Sequence, residues 1–451
     1  MDKTPDLDTP SEDSQTRLSS QITGFVDYNP KQQYLFNTWL QKVASIYETF
    51  GFTPLHLRPF ERISALQGEG DTQKQIFELL RFDTQQTTGL ALPFDHTVPL
   101  ALWIAEHAGH LQHLSFPYKR YDLGLSYRGE RPKTGRLRAF VQADVDIVGR
   151  LLSLSADAEC IATIFSALSS LDIGQFQIRI NHIGIVKSIL KTHNLPSELH
   201  PPILRAIDKL DKLSAQEIEQ ELKKIDGYFL SAQETGNLLQ CFMTQYPLSD
   251  VAHKEEYGSE ALLGIESLQK LTQTLEMMGI DSSHFVFAPG MVRGLAYYTG
   301  IVFETLWIGR EQFGSIAGGG RYSNLVGDFS KNLTEIEGVG GSLGLTRIFD
   351  IFCKTEMPLP NQTTVARILV GARTQELMPL AYQFSAKLRQ QGHKIDLYSG
   401  SPKVKHILSH ASALGIPQVV LIMDQNSIVI KNMKEQTQQE YASLEEALLQ
   451  L

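Results

Sequence analysis

Arg128 opens the run "RGERPKTGRLRAF", in which Arg128, Arg131, Lys133, Arg136 and Arg138 stand against one acid, Glu130. The whole chain is acidic, with 41 Lys+Arg against 50 Asp+Glu and a formal charge of −9, so this cluster is a local reversal of sign. A solvated loop is the plainest account of a charge run. The residues that follow it point further. In "VQADVDIVG", Val141, Ala143, Val145 and Ile147 fall on one parity and Gln142, Asp144 and Asp146 on the other. That is the period-two pattern of a strand with one polar face. A basic loop feeding such a strand suits a ligand that is anionic at one end and cationic at the other.

Three more segments set a lone arginine among small or aromatic residues. "MVRGLAYYTGIVFE" carries Arg293 ahead of Tyr297 and Tyr298, and in an extended chain the two tyrosines point to opposite faces. Arg293 has two open readings, an ion pair with a carboxylate such as Glu304 or a contact to an anionic ligand. A buried guanidinium needs a negative partner of one kind or the other. "AGGGRYSNLV" presents Arg321 and Tyr322 after three glycines, which either make a turn or let a ligand approach the backbone. "GVGGSLGLTRI" ends in Arg347, where small residues lead into a helix. Arg128, Arg293, Arg321 and Arg347 on rigid, sheet-adjacent segments fit the binding of a polyphosphate. Neither GxxxxGK[ST] nor an early GxGxxG is present, so side chains rather than a glycine cradle would hold the phosphates.

Elements to carry these residues are legible around them. Residues 31–51 place Leu35, Trp39, Val43 and Ile46 at helical spacing and close at Gly51. "FTPLHLRPFE" reads as extended chain, residues 151–171 as an apolar helix and "FQIRINH" as a strand. Residues 186–250 are rich in Lys, Glu and Leu, with capping boxes at 214–217 and 231–234, and read as a helical insertion. From 284 to 348 the chain turns to strands and glycine. Residues 356–365 form a linker. Beyond it, over 366–451, strands alternate with helices as in a small α/β domain with a largely parallel sheet.

Composition bounds the class. A length of 451 suggests about two or three domains. Residues 1–21 are polar and acidic and read as a disordered tail rather than a leader peptide. No apolar run approaches the ~20 residues that a membrane span needs. Cys160, Cys241 and Cys353 are far apart, with neither a disulfide framework nor zinc spacing, which points to the cytosol. His107, His110 and His113 sit at i, i+3, i+6, a spacing that spreads them around a helix end rather than onto one metal ion.

Taken together, the segments carry a resemblance. "YRGERPKTGRLRAFVQADVDIVG" resembles motif 2 of class II aminoacyl-tRNA synthetases, "GGSLGLTRI" is similar to their motif 3, and "TPLHLRPFE" looks like motif 1. "RGLAYYTGIVFE" and "GGGRYSNLV" narrow the likeness to the histidyl-tRNA synthetases, as do "GFVDYNP" and "LPFDHTVPLA" upstream. The likeness runs from about residue 22 to the C-terminus. It departs from the family's usual signatures at Ala296 and Ser323, where aspartate is the rule, and in "ERPKTGR".

The resemblance implies an α+β fold. Residues 22–355 would form the class II catalytic domain, an antiparallel sheet with the helical insertion at about 186–250, and residues 366–451 an α/β anticodon-binding domain. It implies a histidine-tRNA ligase that activates L-histidine with ATP, accompanied by Mg2+, and passes it to tRNA(His). The enzyme would act in the cytoplasm as a homodimer joined through motif 1 around Pro59. For ATP it implies Arg128 on the α-phosphate, Glu130 beside it, Phe140 on the adenine, and Arg347 on the adenine's other face and the γ-phosphate. Arg293 would stabilise charge at the α-phosphorus. Asp95, Thr97 and Gln142 would receive the α-amino group of histidine, and Asp146 and Tyr298 the imidazole, with Tyr297 and Tyr322 in the same subsite. The contrasting expectation is a non-catalytic, histidine-sensing paralogue resembling the regulatory subunit of ATP phosphoribosyltransferase. Such proteins typically lack the anticodon domain, whereas residues 366–451 are present here together with Arg128, Arg293 and Arg347.

Overall fold

The computed structural model describes residues 22–66, 70–107, 114–210, 213–252, 254–292, 298–355 and 359–451. Its first helix, α1 (Pro30–Thr49), starts at a capping box in which Asn29 accepts from the Gln32 backbone N–H and Gln32 returns the bond, with Pro30 at the first helical position. It buries Phe36, Trp39, Val43 and Tyr47, one stripe at helical spacing. Leu35 and Ile46 sit at its edges, partly buried. The Tyr47 hydroxyl donates to the Ala143 carbonyl at 3.0 Å, which ties the helix to the central sheet.

Six strands carry the site: β1 (Tyr118–Tyr127), β2 (Ala139–Arg150), β3 (Phe176–His182), β4 (Ile301–Trp307), β5 (Ala317–Tyr322) and β6 (Ile336–Leu343). They belong to a 9-stranded sheet ordered 53–54, β1, β2, β6, β5, β4, β3, 285–287, 246–247. Every neighbouring pair from β1 through to β3 is antiparallel, while the two short strands flanking them, 53–54 and 285–287, pair in parallel. One face of the sheet is covered by α1 and by α3 (Leu154–Ser170), where Ala158, Ile161, Ile164 and Leu168 reach full burial. The other face is the functional one. Over it lies α2 (Thr97–His107), and α4 (Leu345–Lys354) leads away from the end of β6.

The helical stretch after β3 is built from Ile183–Thr192, His200–Ile207, Ala215–Lys223 and Ala232–Met243, with both expected capping boxes in place. It begins three residues earlier than its Lys/Glu texture suggests. Its apolar residues, among them Val186, Ile203, Leu222 and Phe242, belong to the same core cluster as the large sheet. The C-terminal part has its own sheet and its own two core clusters. That sheet is mixed rather than largely parallel. Ile368–Ala372 pairs in parallel with Ile395–Leu397 and with Gln418–Asp424, but Ser427–Asn432 and a further strand, Thr437–Tyr441, continue it as an antiparallel meander. Gln418–Asp424 and Ser427–Asn432 join through a two-residue turn at 425–426. The polar "TQQEY" strand carried no apolar alternation by which to find it.

Candidate active site

The alternation in "VQADVDIVG" does produce a two-faced strand, but neither face is solvated. Val145 and Ile147 meet the core, while Asp144 and Asp146 on the opposite face are 4% and 2% exposed. The register explains how the acids are held. On β1, Arg120 lies opposite Asp146, Asp122 opposite Asp144, Gly124 opposite Gln142 and Ser126 opposite Phe140. On β6, Gly340 lies opposite Asp146 and Ser342 opposite Asp144. The site face is therefore one row of side chains along β2, flanked by a basic, acidic and small row on β1 and by glycine and serine on β6.

At one end of this row a cleft opens to solvent. Its lining includes Arg128, Glu130, Arg136, Phe140, Gln142 and Arg347. The guanidinium of Arg128 sits 4.3 Å from the ring centre of Phe94 and 5.1 Å from that of Phe140, within cation–π range of both. Its Nε donates to the Phe94 carbonyl at 3.3 Å. Across the cleft, Arg347 donates from Nε to the Gly135 carbonyl at 2.8 Å and from Nη1 to the Ser315 carbonyl. Gly135 is gripped from the other side too, because the Asp350 carboxylate accepts its N–H at 2.7 Å. The glycine has φ +72, and a Cβ there would come 3.1 Å from Ile351, so its conformation and its seat on α4 both favour glycine.

The loop's charges divide. Arg136 pairs with Glu130 at 3.2 Å, Arg138 donates to the Glu130 and Thr23 carbonyls, and Arg131 and Lys133 are exposed at the tip. Arg321 leaves the phosphate-binding set. Its parity on β5 is opposite to that of Gly320 and Tyr322, so it reaches the far face and pairs there with Asp157 and with Glu337, the latter at 3.0 Å. Glu304, one candidate partner for Arg293, pairs with Arg179 at 3.4 Å. Arg293, Ala296 and Tyr297 lie outside the described residues.

Deeper along the row the chemistry changes sign. The Tyr322 hydroxyl donates to Asp146 Oδ1 at 2.9 Å, and Arg120 Nη2 is 2.8 Å from Asp146 Oδ2. Burial raises the Asp146 carboxyl to about 6, against the opposing pull of Arg120. Two glycines make room for the pair. A Cβ on Gly340 would lie 2.1 Å from Asp146 Oδ1, and one on Gly338 would lie 2.3 Å from the Tyr322 ring. His96 stacks over Gly124, where a Cβ would lie 2.4 Å from the imidazole, and its Nδ1 sits 3.4 Å from Asp122 and 3.6 Å from Asp144. Asp95 accepts the Val98 N–H at 3.1 Å, satisfying a donor in the first turn of α2 beside Thr97. Gln142 bridges the two ends, accepting from Ser126 at 2.6 Å and donating to Ser342 at 2.7 Å.

The structure thus brings Arg128, Glu130, Phe140, Gln142 and Arg347 around one cleft. Asp146 and Tyr322 are joined beneath its inner end. Asp95 and Thr97 stand at the start of α2, and Tyr298 packs partly buried against Gly320. None of these last five lines the cleft itself. Tyr298 lies just before β4 rather than within a strand. Sequence inspection missed Arg120, Phe94, His96, Asp122 and Asp350. A signal existed only for Arg120 and Asp122, which stand two apart in "YKRYDLGLSY" on the parity of Gly124 and Ser126. Among the described residues no group of three or more His, Cys, Asp or Glu is arranged to hold a metal ion, and no helix is long and apolar enough to cross a membrane.

The chain and its fold also match known proteins. The histidyl-tRNA synthetase family profile matches residues 24–348. A histidine–tRNA ligase of Helicobacter pylori is 33% identical over 427 residues, covering 91% of this chain and 93% of that protein. One from Nostoc sp. is 34% identical over 391 residues, covering 82% and 83%. Among solved structures, histidyl-tRNA synthetase from Nostoc sp. superposes with a TM-score of 0.83 at 30% identity, over 96% of this chain and 99% of that one. A Bacillus halodurans protein described as an ATP phosphoribosyltransferase regulatory subunit/histidyl-tRNA synthetase shares the fold, with a TM-score of 0.70 at 19% identity over 90% and 99% of the two chains. With its motifs in order along the sheet and relatives matched over nearly their whole length, the chain belongs to the histidyl-tRNA synthetase family.

Proposed function

We infer that this protein is a histidine–tRNA ligase, joining L-histidine to tRNA(His) by way of histidyl-adenylate. One observation carries the reading: the site face is bipolar along β2, from the cleft to the acids buried beyond its inner end. Phe140 and Arg128 mark a cationic, aromatic end, and Asp146 marks a buried carboxylate end six residues further along β2. At ~3.3 Å per residue the two ends are about 20 Å apart, enough for an adenylate with its adenine at one end and its imidazole at the other.

Arg128 and Arg347 then bind and bend the triphosphate, while Phe140 offers a face to adenine. Asp95, Thr97 and Gln142 receive the ammonium. Asp146, with Tyr298 and Tyr322 about it, accepts the imidazole N–H. In the first step a carboxylate oxygen of histidine bonds to the α-phosphorus as the bond to pyrophosphate breaks. In the second, a ribose hydroxyl of the tRNA bonds to the acyl carbon as the acyl bond to AMP breaks, and its proton passes to the leaving phosphate. Positioning and charge neutralisation suffice for both, and Arg293 is assigned to the α-phosphate in the first. Mg2+ would arrive on the triphosphate and neutralise its charge. A cleft lined by one carboxylate, Glu130, fits a cation that takes few protein ligands alongside phosphate and water.

The exposed Arg131 and Lys133 at the loop tip suit the acceptor end of tRNA, and the C-terminal domain suits its anticodon. Leu80 is 57% exposed on the three-stranded sheet beside the motif 1 segment and Phe82 is 94% exposed in the turn that follows it, with Leu90 and Phe60 also exposed, which supports a homodimer there. A cytoplasmic location suits this activity and the three free cysteines. Histidine-dependent ATP–pyrophosphate exchange, absent with the other standard amino acids, is the expected result. Histidine binding without exchange would replace this reading with a histidine sensor.

A further inference from the structure

Arg120 is the largest fully buried side chain of the described residues, at 0% exposure, and nothing in the reaction outlined above uses it. Taking a guanidinium wholly out of water is costly, and a well-packed apolar residue in its place is often no less stable. Its Nε and Nη1 make no hydrogen bond among the described residues. All of its hydrogen bonding is concentrated in Nη2, which lies 2.8 Å from Asp146 Oδ2 and donates to the His96 carbonyl at 3.1 Å. That carbonyl belongs to the residue between Asp95 and Thr97. One nitrogen therefore holds the carboxylate assigned to the imidazole and the peptide between the two residues assigned to the ammonium.

The surroundings do not reduce Arg120 to a charge neutraliser. Asp122, Asp144 and Asp146 share the inner face of β1 and β2 with it, three carboxylates against one guanidinium. Asp122 is 3.9 Å from Nη1, beyond hydrogen-bonding reach. The pairing is local and directional, made across directly opposed positions of β1 and β2 and onward to the entry of α2. Tyr322 holds the other oxygen of Asp146 at 2.9 Å, so the carboxylate is fixed between two donors from two elements.

We propose that Arg120 is a positioning residue for histidine, a strut that sets the distance between the imidazole-binding carboxylate on β2 and the ammonium-binding turn before α2. The proposal rests on the activity inferred above. A lysine at this position keeps the charge, yet its ammonium lacks the planar fork and shorter reach leaves one of the two contacts unmade.

The test is steady-state ATP–pyrophosphate exchange with Arg120→Lys in the full chain, together with direct calorimetric titration of histidine and a melting curve. The strut requires histidine KM and Kd to rise at least tenfold while ATP KM stays within twofold and the protein stays folded. A change below threefold in histidine affinity overturns it, and so does a parallel rise in both KM values, which would mark general loosening of the sheet. If the lysine variant does not fold, Arg120→Gln takes its place, and failure of both to fold overturns the proposal by making Arg120 a residue of stability alone. Wild-type protein that binds no histidine removes the activity reading and this one with it. Wild-type binding with an unaffected variant removes only the strut.

Discussion

Gly340 and Gly341 are neighbours on β6, and they predict opposite consequences of the same added methyl group. A Cβ at Gly340 would sit 2.1 Å from Asp146 Oδ1 and 3.1 Å from the Val145 carbonyl. Carbon and oxygen in contact need more than 3 Å, so the Asp146 carboxylate must move by about 1 Å. It cannot do so and keep both the Tyr322 bond at 2.9 Å and the Arg120 contact at 2.8 Å. Losing one hydrogen bond to a charged group costs about 1.5–3 kcal/mol, which is roughly 10- to 150-fold in affinity. A 1 Å misplacement of a binding group has effects on the order of 100-fold. Gly340→Ala should therefore raise histidine KM by roughly 10- to 150-fold in pyrophosphate exchange and leave ATP KM within about threefold.

The Gly341 methyl would point to the other face, 2.8 Å from Phe303 and 3.1 Å from Ile164 in the core. Gly341→Ala should lower the melting temperature through overpacking, at a cost of about 1–3 kcal/mol, with histidine KM little changed in the protein that remains folded. If both variants raise histidine KM alike, the two faces of β6 are not separated in function as their contacts indicate. If Gly340→Ala leaves histidine KM within threefold of wild type, Asp146 is not the imidazole's partner.

Removing the Asp350 carboxylate with Asp350→Ala frees the Gly135 N–H now bound at 2.7 Å. Loosening that side of the cleft should raise ATP KM about tenfold, the order expected for a hydrogen bond to a charged group, with histidine KM unchanged. Asp350→Asn keeps an acceptor and should recover most of the loss. Because burial holds the Asp146 carboxyl near 6, its accepting ionised form is depleted as pH falls through that value, so histidine KM should rise below about pH 6. Free histidine titrates at about 6.5 in the same window, and comparison with Asp146→Asn, which lacks the carboxylate limb, separates the two in exchange assays from pH 5 to 8. Truncation after Thr355 should preserve pyrophosphate exchange and sharply reduce tRNA charging, because the residues beyond form core clusters of their own. Equal charging by the truncated protein would detach the C-terminal domain from tRNA.

The strand "VQADVDIVG" shows what the sequence could and could not reveal. Its period of two marked both the strand and the division of its faces, and β2 bears this out from Ala139 to Arg150. Alternation does not say whether a polar face meets water, and here it is buried because β1 supplies an arginine at the matching register. Register is a pairing between two segments, set jointly by their hydrophobic patterns and the turn that joins them, so one segment alone does not display it. Arg321 failed as a phosphate ligand for the same kind of reason. Its parity relative to Tyr322 was visible, but which parity faced the cleft was not. Asp350 is separated by 215 residues from the glycine it holds, and an aspartate on an amphipathic helix is ordinarily solvated.

Glycine carries the remaining argument. Gly124, Gly338 and Gly340 lie on the face that bears the acids, and in each case the space of the absent side chain is filled by His96, Tyr322 or Asp146. These glycines are not a bare floor on which a ligand rests. They are sockets that let three polar side chains lie flat against the sheet in fixed positions. The result is a face where Asp122 and Asp144 stand directly opposite each other, an arrangement unfavourable for two like charges. His96 lies between them at 3.4 and 3.6 Å, and Asp144 Oδ1 makes no hydrogen bond among the described residues. Burial pushes the Asp144 carboxyl up, so negative charge on this face is held at a cost. On the proposed reading the substrate's ammonium, received by Asp95, Thr97 and Gln142, adds positive charge beside this acidic face, while the arginines at the other end take the triphosphate. That added charge is then part of how the site distinguishes an amino acid from a neutral imidazole.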